Sequence, residues 1–180
     1  MKAANLRLAW FYLIEGDKQK YEFYLTKIKN GGAALVDEDK QAQHECESGE
    51  RLNSSLLKSR LLFDGGYFER AILELNKADT RKIKSVKDNL ELVYRTARIY
   101  HKQNNFEKAI GNYQLTYKNG NSYPYYFAAN SALQLGLIYE EQKNIEKARE
   151  SFTQALSLKN HEYQNSISQK AKAGLNRIGK

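Results

Sequence analysis

The sequence predicts an all-α protein, an α-solenoid of stacked helical hairpins closed by a carboxyl-terminal capping helix. A pattern of small and bulky residues recurs along the chain, with Ala9, Ser59, Ala97 and Gly136 standing 50, 38 and 39 residues apart. Inside each recurrence the apolar residues fall three and four apart, the spacing of one helix face. The 180-residue chain contains a single Pro, which suits long helices. A period of this length with helical spacing inside it marks a helical repeat array.

The last copy is the clearest. In SALQLGLIYEEQKNIEKARESFTQALSL, Leu135, Gly136 and Tyr139 lie on a first helix and Ala148, Phe152 and Ala155 on a second. Two antiparallel helices approach closely only where one offers Gly, Ala or Ser to a larger neighbour. Gly136 costs about 1 kcal/mol of helix propensity relative to Ala, so close packing has to offset it. Ala148 is the expected reciprocal contact, with Tyr139 and Phe152 filling the space between the helices. The third copy, RTARIYHKQNNFEKAIGNYQLTYK, repeats the order with Ala97, Tyr100, Phe106, Ala109 and Tyr113. The second has Ser59, Leu62, Phe68, Ala71, Leu75 and Ala78. The first is weakest, with Ala9, Tyr12, Gly16, Tyr21, Leu25 and Ile28. One domain over 1–180 is expected, with hairpin units at about 2–30, 52–79, 87–118 and 124–158.

From Leu135 through Ala155 the chain resembles the tetratricopeptide repeat family, whose pattern is a large residue, Leu-Gly, Tyr, a turn, Ala, an aromatic and Ala. Ala132 stands where the family often has Trp, Asn160 replaces its usual terminal Pro, and copies two and three lack the Leu-Gly pair. The resemblance covers roughly four-fifths of the chain. It implies hairpins wound into a right-handed superhelix, non-catalytic work in scaffolding or recognition, and a concave groove that receives a peptide or a partner helix. The chain is also similar to the carboxyl-terminal part of larger bacterial proteins of this family.

The spacings exceed the family period of about 34, so inserts have to be placed. Asp37 is expected to cap a short helix over 37–48. Ser85 and Asp88 stand at capping-box spacing. Gly120 is expected to stop one helix and Pro124 to open the next in its first turn. At the end, Tyr163, Ile167, Ala171, Leu175 and Ile178 form one stripe, with Gln164, Ser168, Lys172 and Asn176 outside it, as in a capping helix over 160–178. At the start, Leu6, Leu8, Trp10, Phe11, Leu13 and Ile14 surround their helix, which therefore expects neighbours on more than one side. Those neighbours would be further repeats of the same chain upstream or a second protomer.

The first helices of the pairs supply the groove candidates. Directly after the small residue stand Trp10, Arg60, Arg98 and Leu137. Three and four residues further on come Phe63, His101 with Lys102, and Glu140 with Glu141; four residues before it stand Leu56, Tyr94 and Leu133. Arg60 and Arg98 are expected on one ridge with Phe63 and Tyr94 nearby, Arg offering a planar grip on carboxylates and the rings a rigid contact area. The competing arrangement sends these residues to solvent, or packs Trp10 and Leu13 inside. Family members that hold a chaperone's carboxyl terminus do so with Lys, Asn and Arg at set slots. Here Glu91 and Leu57 occupy two of those slots, which argues against that mode.

No catalytic residue, metal or cofactor is expected. His44, His101 and His161 fall in different elements, and His44 beside Cys46 cannot close a tetrahedral site. Cys46 lacks an identifiable base, and Asp64–Gly66 lacks the Lys and Ser/Thr of a phosphate loop. Arg81, Lys82, Lys84 and Lys87 form a basic connector or an anion patch. Net charge is +8 with a pI near 9.4, spread as +1, +4 and +3 over successive thirds. That balance and the thirteen tyrosines keep helical-repeat nucleic-acid binding as the alternative function. The run Leu8–Ile14 is too short to cross a bilayer and no small-residue cleavage site follows it. The compartment stays open: cytoplasmic by default, periplasmic if the chain is part of a secreted protein.

Overall fold

The computed structural model describes residues 1–49, 52–78, 83 and 85–179; Arg81, Lys82 and Lys84 of the basic connector lie outside them. Among the described residues there are ten helices and no strand, arranged as a helical-repeat solenoid. Helices α1 (Lys2–Glu15) and α2 (Lys18–Lys29) form a hairpin, and α3 (Asp37–Glu47) packs on both. Then come the pairs α4 (Ser54–Asp64) with α5 (Phe68–Lys77), α6 (Val86–Lys102) with α7 (Phe106–Gly120), and α8 (Tyr126–Glu141) with α9 (Ile145–Ser157). Helix α10 (Gln164–Ile178) lies against α8 and α9.

Four connections are one turn repeated. Each passes through one left-handed residue: Gly16 (φ 79°), Gly66 (φ 81°), Asn104 (φ 58°) or Lys143 (φ 58°). The next residue returns its N–H to the carbonyl of Tyr12, Leu62, Tyr100 or Tyr139, at 2.9, 2.8, 2.9 and 2.8 Å. The left-handed residue donates to Leu13, Phe63, His101 or Glu140. These paired bonds satisfy carbonyls that the helix end leaves free. The side chains of Asp17, Asn105 and Asn144 then cap the following helix by accepting from the N–H of Lys20, Lys108 and Lys147. Tyr67 holds that position in the second hairpin and makes no such cap.

The small residues do what their spacing requires. Ala9, Ser59 and Ala97 are 0% exposed, as are Ala71, Ala109 and Ala148 on the second helices. Ser59 Oγ donates to the carbonyl of Ala71 at 3.0 Å, which joins α4 to α5. In the first hairpin Tyr21, only half-buried, takes the place of that alanine. Gly136 lies against the ring of Phe152, where a β-carbon would fall 2.5 Å from two ring atoms. On the other side of the same ring is Gly174 of α10, where a β-carbon would approach to 2.4 Å. Phe152 is therefore clasped between two glycines from two helices, inside a core that runs from α6 to α10. Smaller cores hold α1 to α3, through Leu6, Ile28, Ala42 and Cys46, and α4 to α6, through Leu56, Ala71, Leu75 and Ile99.

Several local expectations are corrected. Asp37 is the first residue of α3, not its cap; Val36 holds the cap position, and Asp37 with Glu38 and Asp39 complements the helix dipole. Pro124 stands two residues ahead of α8, and Gly120 is the last residue of α7, packed against Leu90 and Ala128. Tyr163 lies at the left-handed residue before α10 and is 60% exposed, so the buried stripe is Ile167, Ala171 and Gly174. Helix α1 is covered by α2, α3 and α4 of its own chain. Asp39 of α3 also accepts from the Met1 amine (2.6 Å) and from the Ala3 N–H (2.8 Å), and the amine holds its carboxyl below the usual range. Leu8 and Phe11 remain exposed.

Candidate functional site

The end of α4, the middle of α6, the face of α8 and the first turns of α10 enclose a cavity of about 460 Å³. Phe63 comes from α4, and α6 supplies Tyr94, Arg98, His101 and Lys102. Helix α8 adds Tyr126, Asn130, Leu133 and Gln134, four residues or so apart on one face. Tyr113 enters from α7, while Tyr163, Ser166, Ile167 and Lys170 close the α10 side.

A polar ladder runs along the floor. Gln134 Nε2 donates to Asn130 Oδ1 at 3.4 Å, and Asn130 Nδ2 donates to the Tyr94 hydroxyl at 2.6 Å. Burial pushes the Tyr94, Tyr113 and Tyr126 hydroxyls up, so all three stay protonated near neutral pH. The Arg98 guanidinium stacks on the ring of Phe63 at 4.3 Å and stands 5.9 Å from that of Tyr94. Two aromatic planes thus brace a cation at the cavity wall. His101 is half-buried, with Nδ1 3.4 Å from the Tyr113 hydroxyl. Burial, then the charges of Lys102 and Arg98, press its pKa below the ordinary value, against a smaller upward pull from Glu141.

The cavity gathers Phe63, Tyr94, Arg98, His101, Lys102 and Leu133 of the twelve candidate residues. The others go elsewhere. Arg60 stacks on Trp10 at 4.5 Å, and Trp10 Nε1 donates to Glu45 of α3 at 2.7 Å. Arg60 and Trp10 therefore join α4 to the first hairpin rather than sharing a ridge with Arg98. Trp10 also lines a smaller cavity of about 190 Å³ among α1, α2 and α3. Leu56, 1% exposed, is core between α4, α5 and α6, which removes it from any groove. Leu137 packs against the large core. Glu140 makes two 2.6 Å bonds to Arg177 of α10, which hold its carboxyl below the usual range, and Glu141 is exposed. Glu91 is taken by Arg95, four residues on and 6% exposed.

Sequence reasoning missed Tyr126, Asn130 and Gln134, although their four-residue spacing in an otherwise apolar helix was a usable signal. Nothing in the sequence marked Ser166 or Lys170, and Tyr163 was expected on the buried stripe of the cap rather than in a cavity. His44 is exposed while Cys46 is buried, its thiol pushed up by desolvation and 3.4 Å from the Leu25 carbonyl. Among the described residues no three His, Cys, Asp or Glu side chains gather where they could hold a metal ion. No helix there is long and apolar enough to cross a membrane.

None of the curated proteins and none of the solved structures compared with the chain matches it. Residues 90–161, from α6 through α9 and just beyond, match the family model of the tetratricopeptide repeat. Such repeats generally mediate protein–protein interaction, as a rule without catalysis. Residues 90–161, two fifths of the chain, are thus similar to the tetratricopeptide repeat, and the backbone turn within them recurs in the two hairpins that precede them.

Proposed function

We propose that the chain is a scaffold or recognition module that takes a peptide segment of a partner protein in the cavity between α6, α8 and α10. It would act as one domain, with hairpin units at about 2–30, 52–79, 87–118 and 124–158. One observation carries this: an open, half-polar space of about 460 Å³ in which first helices of successive hairpins present side chains not required by the core. Arg98, Lys102, Gln134 and Ser166 point there with hydrogen-bonding capacity to spare, and a peptide backbone has matching donors and acceptors. Partly exposed rings at Phe63 and Tyr163 add rigid contact area.

The test is a display selection of random-sequence peptides against the immobilised chain. Ser166→Trp fills the cavity mouth from an exposed position on α10, and Lys172→Trp places the same bulk at another exposed position outside the lining. Selected peptides are expected to bind Ser166→Trp about tenfold or more weakly and Lys172→Trp as they bind the parent. Peptides indifferent to Ser166→Trp, or a selection that enriches none, would refute this site.

A further inference from the structure

We infer that the segment accepted by this cavity is acidic, held through its Asp or Glu carboxylates by Arg98, Lys102 and Lys170. This rests on the interaction role proposed above and adds the chemistry of the partner. No residue lining the cavity is an acid, while α6 and α10 set three cations around it from two sides. Among the described residues none of those cations is in an ion pair. The nearby carboxylates are otherwise engaged: Glu91 is bonded by Arg95, and Glu162 accepts the Tyr126 N–H at 3.3 Å. Glu141 stands outside the lining, on the exposed end of α8.

The neutral groups add to the same bias. The Tyr94 oxygen already accepts from Asn130, which leaves its own proton to give. His101 is held neutral by burial and faces the Tyr113 hydroxyl across 3.4 Å, so it brings one ring N–H and no negative charge. Arg98 is the best-defined cation, because Phe63 and Tyr94 fix the plane of its fork. A planar guanidinium held this way meets a carboxylate with two parallel bonds. A site rich in donors and poor in acceptors discriminates against basic and neutral segments, whose own donors would be left buried and unpaired.

A polypeptide fits this chemistry better than a nucleic acid. Base recognition along a strand needs a series of open aromatic faces. Here Tyr94 and Tyr113 are 1% exposed and Arg98 stacks on Phe63, which leaves Tyr163 as a single exposed platform in the lining. The cations also converge on one cavity from two helices rather than tracking along a surface, as a phosphate backbone requires.

The same selection supplies the test, now read by composition and charge variants. Peptides retained by the parent should be enriched in Asp and Glu over the input library. Their affinity should fall about tenfold or more in Arg98→Gln/Lys170→Gln. Because Arg98 also braces Phe63, Lys102→Gln/Lys170→Gln, both at exposed positions, is measured beside it and should lose several-fold. Binders without acidic enrichment, or acidic binders unaffected by both charge variants, would overturn the inference. If such binders are still blocked by Ser166→Trp, the groove stands and only the acidic partner falls. If an oligouridylate probe displaces the peptides with a steep salt dependence lost in the charge variants, the ligand is a nucleic acid and the inference is wrong.

Discussion

Replacing Gly136 with Ala introduces a methyl group where the ring of Phe152 already lies. The new β-carbon would sit 2.5 Å from Cδ1 and Cε1 and 3.0 Å from Cγ, against an ordinary carbon–carbon contact of about 3.5–4.0 Å. The ring has to retreat by about 1 Å to restore that contact. Its path is closed by Gly174, whose β-carbon position is 2.4 Å from Cζ. Overpacking of this kind costs about 1–3 kcal/mol. Because Gly174 crowds the same ring, the upper part of that range, about 2–3 kcal/mol, applies, and the better helix propensity of Ala returns about 1 kcal/mol. The expected net loss is about 1–2 kcal/mol, or roughly 2–8 °C in Tm for a chain of this size. Gly111 is the control, since it lies exposed within α7 with nothing within 4 Å of a β-carbon. Gly111→Ala should therefore stabilise by about 0.5–1 kcal/mol. Urea unfolding followed by circular dichroism reads both variants. In a Phe152→Leu background the penalty at Gly136 should shrink by about 1 kcal/mol, because the obstructing ring is gone. A Gly136→Ala protein as stable as the parent, or equal penalties in both backgrounds, would refute the clasp.

Other consequences are equally direct. Lys143 holds the left-handed turn position with φ 58° where the first two hairpins use Gly. Lys143→Gly should gain about 0.5 kcal/mol and Gly66→Ala should lose about 1 kcal/mol, both measured by thermal unfolding. Arg60→Ala removes the stack on Trp10 and should cost about 1 kcal/mol. It should also raise hydrogen exchange in α1 to α3 ahead of α6 to α10, and Arg60→Lys should restore only part of the loss. His101 titrates below the ordinary value of 6.5 because burial disfavours its charged form. Between the two values the unfolded chain binds more protons, so its contribution is complete above about 6.5 and declines as pH falls to the folded value. A denaturation series across that range should show this slope in the parent and not in His101→Gln.

Much of the architecture was legible because close helix packing leaves a chemical trace. Ala9, Ser59, Ala97 and Gly136 must be small wherever a second helix crosses, and that demand is written at one position per hairpin. The turns are legible for a similar reason, since a left-handed residue followed by an Asx cap selects Gly or Asn and then Asp or Asn. Lys143 and Tyr67 are departures that a sequence rule alone would score against the pattern. The site was legible only in part. Slot counting names which residues share a helix face, but it cannot tell which faces meet a neighbouring helix. Leu56 and Arg98 both stand on faces that look toward the groove in the repeat register, yet one is core and the other lines the cavity.

The order of small and bulky residues by itself determined an all-helical chain of stacked hairpins, because backbone hydrogen bonding and side-chain volume are local demands. The tertiary structure alone decided that Phe152 is gripped by two glycines, that Arg60 belongs to Trp10, and that α10 lends Lys170 to a cavity built mainly by α6 and α8. Those outcomes depend on how far apart separate helices come to rest. That distance is set by the summed packing of the whole array, and no single segment carries it.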